Sequence, residues 1–192
     1  TLGSGSTLNA DFVPTLAWGL GRSPVVGFPL GRKLGGKNLL EEAGVESISS
    51  LVKQSTQWPV FVRWAIHLGF IRKQRTNKRG ELLFPTLVTP FENFFDNHEK
   101  GEVIKAGILV KQLQKSFPMI DGTKLAKDVD KFLGSQREAS NKQIGPVVHD
   151  ALLTLEEKGR IKLYSATDNA EENVVFKSSN SGLQTISRIE IQ

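Results

Sequence analysis

The chain has 192 residues, 39% of them hydrophobic, and a formal net charge of +5, a length lying between one large domain and two small ones and sufficient to bury an ordinary core. With no cysteine it cannot form disulfides, thiolate zinc sites or a cysteine nucleophile. No apolar run approaches the roughly 18 residues of a membrane span and no charged-then-apolar leader stands out, so a soluble, cytoplasmic protein is expected. The basic excess favours a polyanionic partner. It is uneven: residues 1–100 hold 12 Lys and Arg against 8 Asp and Glu, and residues 101–192 hold 13 against 12.

Residues 1–38 contain eight glycines and three prolines, which predicts an arm or partial element with a short helix around residues 12–20. From Asn38 the pattern sharpens. Residues 39–43 and 48–54 read as two short helices parted by Gly44, and Ser55 or Thr56 can cap a third. There Phe61, Trp64, Ala65 and Leu68 follow the i, i+3, i+4, i+7 spacing and predict one apolar stripe. Pro59 falls in the first turn, where N–H groups have no intrahelical partner. Gly69 stands where a helix end wants a left-handed residue. Residues 70–75 and 81–84 then read as two strands about the turn Asn77-Lys78-Arg79-Gly80, with Pro85 as the stop. The aromatic stretch Phe91, Phe94 and Phe95 is expected to cover this unit or to link it to the next.

The second half repeats the order. Residues 103–117 are apolar around most of a helical circumference, at Val103, Ile104, Ala106, Ile108, Leu109, Val110, Leu113 and Phe117, as a buried helix would be. Thr123 is placed to cap a helix with Leu125, Val129, Phe132 and Leu133 on one side. Ser140 with Gln143 makes a capping-box signature, opening a helix that sets Ile144, Val147, Val148, Ala151, Leu152 and Leu155 on one face. Gly159 ends that helix, and residues 161–165 and 174–177 predict another hairpin.

Around Gly69 the chain reads Trp64-Ala65-Ile66-His67-Leu68-Gly69-Phe70-Ile71-Arg72-Lys73, and around Gly159 it reads Leu155-Glu156-Glu157-Lys158-Gly159-Arg160-Ile161-Lys162-Leu163. Each joins helix to strand through one glycine. Both stretches resemble the end of the recognition helix and the first wing strand of winged-helix regulators. The resemblance implies an α+β, mainly helical protein of two winged-helix-like units, each with three helices and a β-hairpin. The units would span 38–98 and 99–192, the second with a C-terminal strand, behind a Gly/Pro-rich arm at 1–37. Tandem winged helices also occur in accessory subunits of bacterial chromosome-organising and phage-defence complexes, including kleisin-associated proteins.

The strongest functional signal is the first hairpin, where Arg72, Lys73, Arg75, Lys78 and Arg79 place five cations within eight residues. Such a tip can straddle the phosphates of duplex DNA, releasing counterions as it does so. A solvated loop kept soluble by its charge is the alternative. On the preceding helix, Gln57, Val60, Arg63 and His67 lie opposite the predicted apolar stripe. Arg63 there could read guanine, Gln57 adenine and Val60 a thymine methyl, with His67 beside them, although only one of the four is permanently charged and an ordinary capped surface helix would look the same. In the second half, Asp150, Glu156 and Glu157 on the helix and Asp168, Glu171 and Glu172 at the hairpin tip would repel phosphate, so either this half contacts another protein or the acidic tip is a solvated loop. Lys124, Lys127 and Lys131 form a basic edge diluted by Asp128 and Asp130.

Gly31-Arg32-Lys33-Leu34-Gly35-Gly36-Lys37-Asn38 fits a phosphate-loop pattern except that Asn38 replaces the Ser or Thr needed on magnesium. No series of parallel βαβ units follows it, and a flexible basic loop is the simpler reading. His67, His98 and His149 lack metal-ligand spacing, and Asp128 and Asp130 diverge on a helix. No enzyme, cofactor or metal site is expected. The leading expectation is a non-catalytic DNA-binding or DNA-associated protein, and its rival is an adaptor subunit that does not touch DNA.

Overall fold

The computed structural model describes residues 7–22, 24–29, 57–76, 80–133, 143–165, 173–177 and 182–192. In chain order these form α1 (Thr7–Leu20), β1 (Phe28–Pro29), α2 (Gln57–His67), β2 (Ile71–Thr76), β3 (Gly80–Pro85), α3 (Val88–Phe95), β4 (Val103–Lys105), α4 (Ala106–Ser116), α5 (Lys124–Leu133), β5 (Gln143–Ile144), α6 (Pro146–Glu157), β6 (Ile161–Ser165), β7 (Val174–Lys177) and β8 (Leu183–Ile191). The chain is thus α+β, with two small sheets among the described residues. The helices expected at 39–43 and 48–54 lie outside them, as does the 31–38 loop. None of the described helices is long and apolar enough to cross a membrane.

In the Gly/Pro-rich segment, α1 begins earlier than the short helix expected there and buries Leu16, Ala17, Trp18 and Leu20. Trp18 meets Phe28 of β1 edge to face, with ring centroids 5.4 Å apart. Phe28 lies 6.4 Å from Trp58, and Trp58 lies 5.2 Å from Phe61, both on α2. Three elements therefore share one run of rings, each pair adding about 0.5–1.5 kcal/mol beyond its area burial.

This run corrects the predicted face of α2. The buried stripe is Trp58, Phe61, Val62 and Ala65, whereas Trp64 is 48% and Leu68 42% exposed. Both sets satisfy the helical spacing and share Phe61 and Ala65. What decides between them is where α1 and β1 bring their rings, which is the side of Trp58.

Gly69 (φ +77°) and Gly159 (φ +66°) close α2 and α6 in the left-handed region, as predicted. Phe70 N–H donates to the Ala65 carbonyl at 2.8 Å and Gly69 N–H to Ile66 at 3.0 Å; Arg160 N–H donates to Leu155 at 2.9 Å and Gly159 N–H to Glu156 at 2.8 Å. The repeated punctuation is thus the same double-bonded cap, which satisfies carbonyls that a helix end otherwise leaves bare.

After the first cap, β2 and β3 pair antiparallel from Ile71 opposite Pro85 to Thr76 opposite Gly80. β1 joins the far edge of β3, with Phe28 opposite Leu83, giving the order β1-β3-β2.

The second sheet departs from the predicted hairpin. β6 and β7 do not pair with each other; both pair with β8, at Ser165 opposite Ile186 and Val174 opposite Ile186. A residue has one partner on each side, so β8 separates them. Its Ile186, Ile189 and Ile191 are buried, and β4 pairs with it on the same edge as β7, away from β6. Residues 103–105 are accordingly a strand rather than the first turn of a long helix, with Ile104 buried and Val103 exposed.

The helix expected to open at Ser140 begins instead at Pro146, and Gln143 lies in β5. Gly145 is extended (ψ 170°), since a residue preceding proline is kept out of the helical region, and proline suits the first helical position. The Asp121 carboxylate accepts the Gly145 N–H at 3.0 Å. The predicted Thr123 cap is present, its hydroxyl accepting the Ala126 N–H at 3.2 Å.

α3 links the halves. Its Phe91 and Phe94 rings lie 5.4 and 6.2 Å from Phe117, and the helix packs against α6. Lys158 Nζ pairs with Glu92 Oε1 at 2.7 Å, and Arg160 pairs with Asp96. α1 reaches across to α5, so one continuous apolar cluster runs from Leu16 to Ile191.

Candidate nucleic-acid interface

The cap at Gly69 turns the chain directly from α2 into β2, so the hairpin's cations begin two residues beyond Phe70. Arg72, Lys73 and Arg75 are all exposed; Lys78 and Arg79 lie outside the described residues. The pleat divides the three between two faces. Arg72 stands opposite Phe84, with its guanidinium 5.4 Å from that ring's centroid. Arg75 stands opposite Glu81 on the other face, where Lys73 Nζ reaches Glu81 Oε1 at 2.8 Å. That pair is exposed by 41% and 44%, and exposed pairs contribute about 0–1 kcal/mol, so it holds Lys73 only weakly.

Gln57, Arg63 and His67 are exposed on α2, as expected of a helix that presents them. Their surroundings were not legible from spacing. Trp64 stands among them with its ring edge-on to His67 at 5.7 Å, and Val60, Ile66 and Leu68 are 43%, 36% and 42% exposed. The outward surface of α2 is therefore as apolar as it is polar.

The matching helix of the second half, α6, is enclosed. Val147, Val148, His149, Ala151, Leu152 and Leu155 are buried, and α3 lies against it. His149 Nε2 is 2.7 Å from Gln184 Oε1, and His98 Nδ1 is 2.9 Å from Glu102 Oε2, so these histidines are engaged separately. Among the described residues, no three His, Asp or Glu side chains come together as a metal site. Between the hairpin and α6 lies a cleft of about 610 Å³, with Arg72, Gln74 and Phe84 on one wall and Val147, Asp150 and Glu157 on the other. The predicted acidic tip, Asp168, Glu171 and Glu172, lies outside the described residues.

Fold and surface together define an α+β protein of capped helices and small sheets, one of which carries an exposed basic ribbon. The chain belongs to the DpdG-like family, whose model matches residues 3–169. Comparison with curated proteins and with solved structures gave no match.

Proposed function

We propose that this chain is a non-catalytic, DNA-associated accessory protein of a bacterial DNA-modification or defence system, built from two winged-helix-like units. Membership of the DpdG-like family supports the system. The order α1, β1, α2, β2, β3, with β1 on the edge of β3, supports a winged-helix reading of the first half. The second half follows with α4, α5, α6, β6 and β8. In this reading the hairpin is a wing that holds phosphate backbone through Arg72, Lys73, Arg75, Lys78 and Arg79. Gln57, Arg63 and His67 lie beside the bases, and the second unit docks a protein partner.

The observation that carries the proposal is the exposure of Arg72, Lys73 and Arg75 on a paired ribbon. Binding of a short labelled duplex at low salt tests it. Lys73→Glu with Arg75→Glu should weaken binding at least about tenfold, while Arg63→Ala should cost less, because phosphate contacts supply most of the affinity. Glu81→Gln should tighten binding by roughly two- to fivefold, because it frees Lys73 from a pair worth at most about 1 kcal/mol. Binding that is indifferent to all three variants would sink the wing.

One observation favours the adaptor reading instead. Val60, Trp64, Ile66 and Leu68 give α2 an exposed apolar surface, which suits a protein partner better than a groove lined with hydrogen-bonding base edges. Purification with a partner that survives high salt, and is lost on Trp64→Ala, would decide for it.

A further inference from the structure

The solvent side of the second sheet carries a group of side chains that neither the hairpin nor the acidic helix explains. Across β4, β8 and β6 the register sets Lys105 opposite Arg188 and Arg188 opposite Tyr164; in the next row Val103 faces Glu190 and Glu190 faces Lys162. Ile104, Ile161, Ile189 and Ile191 are buried against the helices, so the two-residue alternation sends these six side chains to the opposite face. Lys105, Lys162 and Arg188 are exposed there. The Arg188 guanidinium lies 4.6 Å and the Lys162 ammonium 5.1 Å from the Tyr164 ring centroid. The Tyr164 hydroxyl donates to Glu190 Oε2 at 2.5 Å.

We propose that this face is a second phosphate-binding surface, on which Lys105, Lys162 and Arg188 hold the backbone of a nucleic-acid strand while Tyr164 and Glu190 fix the positions of the two flanking cations. The inference rests on the reading of the chain as DNA-associated for its choice of polyanion.

Among the described residues of this face, Lys105, Lys162 and Arg188 surround the single carboxylate of Glu190. Glu190 is kept ionised by the Tyr164 hydrogen bond first, with the Gln192 hydrogen bond and the charges of Lys162 and Arg188 adding to it against a desolvation cost, so its pKa lies below the ordinary 4.5. Its role is local, as the pivot between Tyr164 and the cations. Asp150 and Glu157 belong to α6, which packs on the core side of the sheet, whereas Glu156 of that helix reaches β6, where its Oε1 accepts the Leu163 N–H at 2.7 Å. Rows two residues apart on a strand are separated by about 6.8 Å, close to two nucleotide rises of about 3.4 Å. A protein partner is less well served, because protein interfaces centre on aromatic anchors that enter a pocket, and Tyr164 is already flanked by its own cations.

Duplex and single strand share the phosphodiester chemistry, and salt titrations of each separate them. Four proteins would be compared: the unaltered chain, the sheet variant Lys162→Glu/Arg188→Glu, its milder form Lys162→Gln/Arg188→Gln, and the hairpin variant Lys73→Glu/Arg75→Glu. The sheet variant should bind at least about tenfold more weakly at low salt. Its salt slope should fall by about 1.8 on the favoured ligand if that is duplex, or about 1.4 if single strand. The milder variant should move in the same direction, which guards against a folding defect. If the sheet variants bind as the unaltered chain does while the hairpin variant fails, the sheet surface is overturned and the wing survives. The converse result overturns the wing alone. No binding by the unaltered chain overturns both, and tighter binding of polyglutamate than of nucleic acid, lost in the sheet variant, would give the face to an acidic protein.

Discussion

Replacing Phe91 with alanine should cost about 3–5 kcal/mol of stability, and should do so for both halves of the molecule at once. Phe91 is fully buried on α3, with its ring 5.4 Å from Phe117, which follows α4 in the second half of the chain. α3 lies between the hairpin that precedes it and the helix α6 on which it packs. A cavity there removes contacts from the apolar cluster that runs through both halves of the chain. Urea unfolding can check this with separate probes, since Trp18, Trp58 and Trp64 all lie in the first half of the chain and the lone Tyr164 in the second. Coincident transitions, both moved to lower urea by Phe91→Ala, are the expected result. Two separated transitions, with only one displaced, would mean that the two halves unfold independently.

The second large effect lies at the repeated cap. Gly69→Ala and Gly159→Ala both force a side chain into the left-handed region, which costs about 1–2 kcal/mol. At Gly159 nothing else lies within 4 Å of the added Cβ, whereas at Gly69 it would come within 2.7 Å of the Thr89 Cβ on α3. Gly159→Ala should therefore lose only the backbone term. Gly69→Ala should lose about 2–4 kcal/mol in total, because α3 must also shift away from the α2–β2 junction. Equal losses in thermal unfolding would show that α3 does not press on this corner. The comparison bears on function, because the same corner aims the hairpin relative to α2.

These two glycines also show which parts of the fold were legible in the sequence. A cap needs only one helix end and the two residues after it, so the local pattern announced both junctions and the hairpin behind the first. The Thr123 cap and the buried face of α6 were legible for the same reason. The rest depended on distant partners. Whether α2 buries Trp58 or Trp64 is decided by rings on α1 and β1. That β6 and β7 part to admit β8 depends on a strand that begins 18 residues after β6 ends. Gln143 beside Ser140 matched a capping box, but Pro146 fixed the helix start by excluding the preceding glycine from helical geometry.

The candidate site divides in the same way. The cations of the hairpin are neighbours in the chain and could be counted directly. Lys105, Lys162 and Arg188 come from three strands and meet only through the register of β8. A count of 13 cations against 12 carboxylates made that half look neutral, because it averages a basic sheet face with the acidic side chains of α6. Membership of the DpdG-like family was likewise not legible in the helix-glycine-strand motif, which many winged-helix proteins share.

The most direct measurement is the salt dependence of duplex binding by the unaltered chain and by a variant with Lys73, Arg75, Lys78 and Arg79 all changed to glutamate. If each of these cations meets one phosphate, the slope of log K against log salt should become shallower by about three to four. Parallel lines, with the variant retaining full affinity, would contradict a hairpin that grips the backbone.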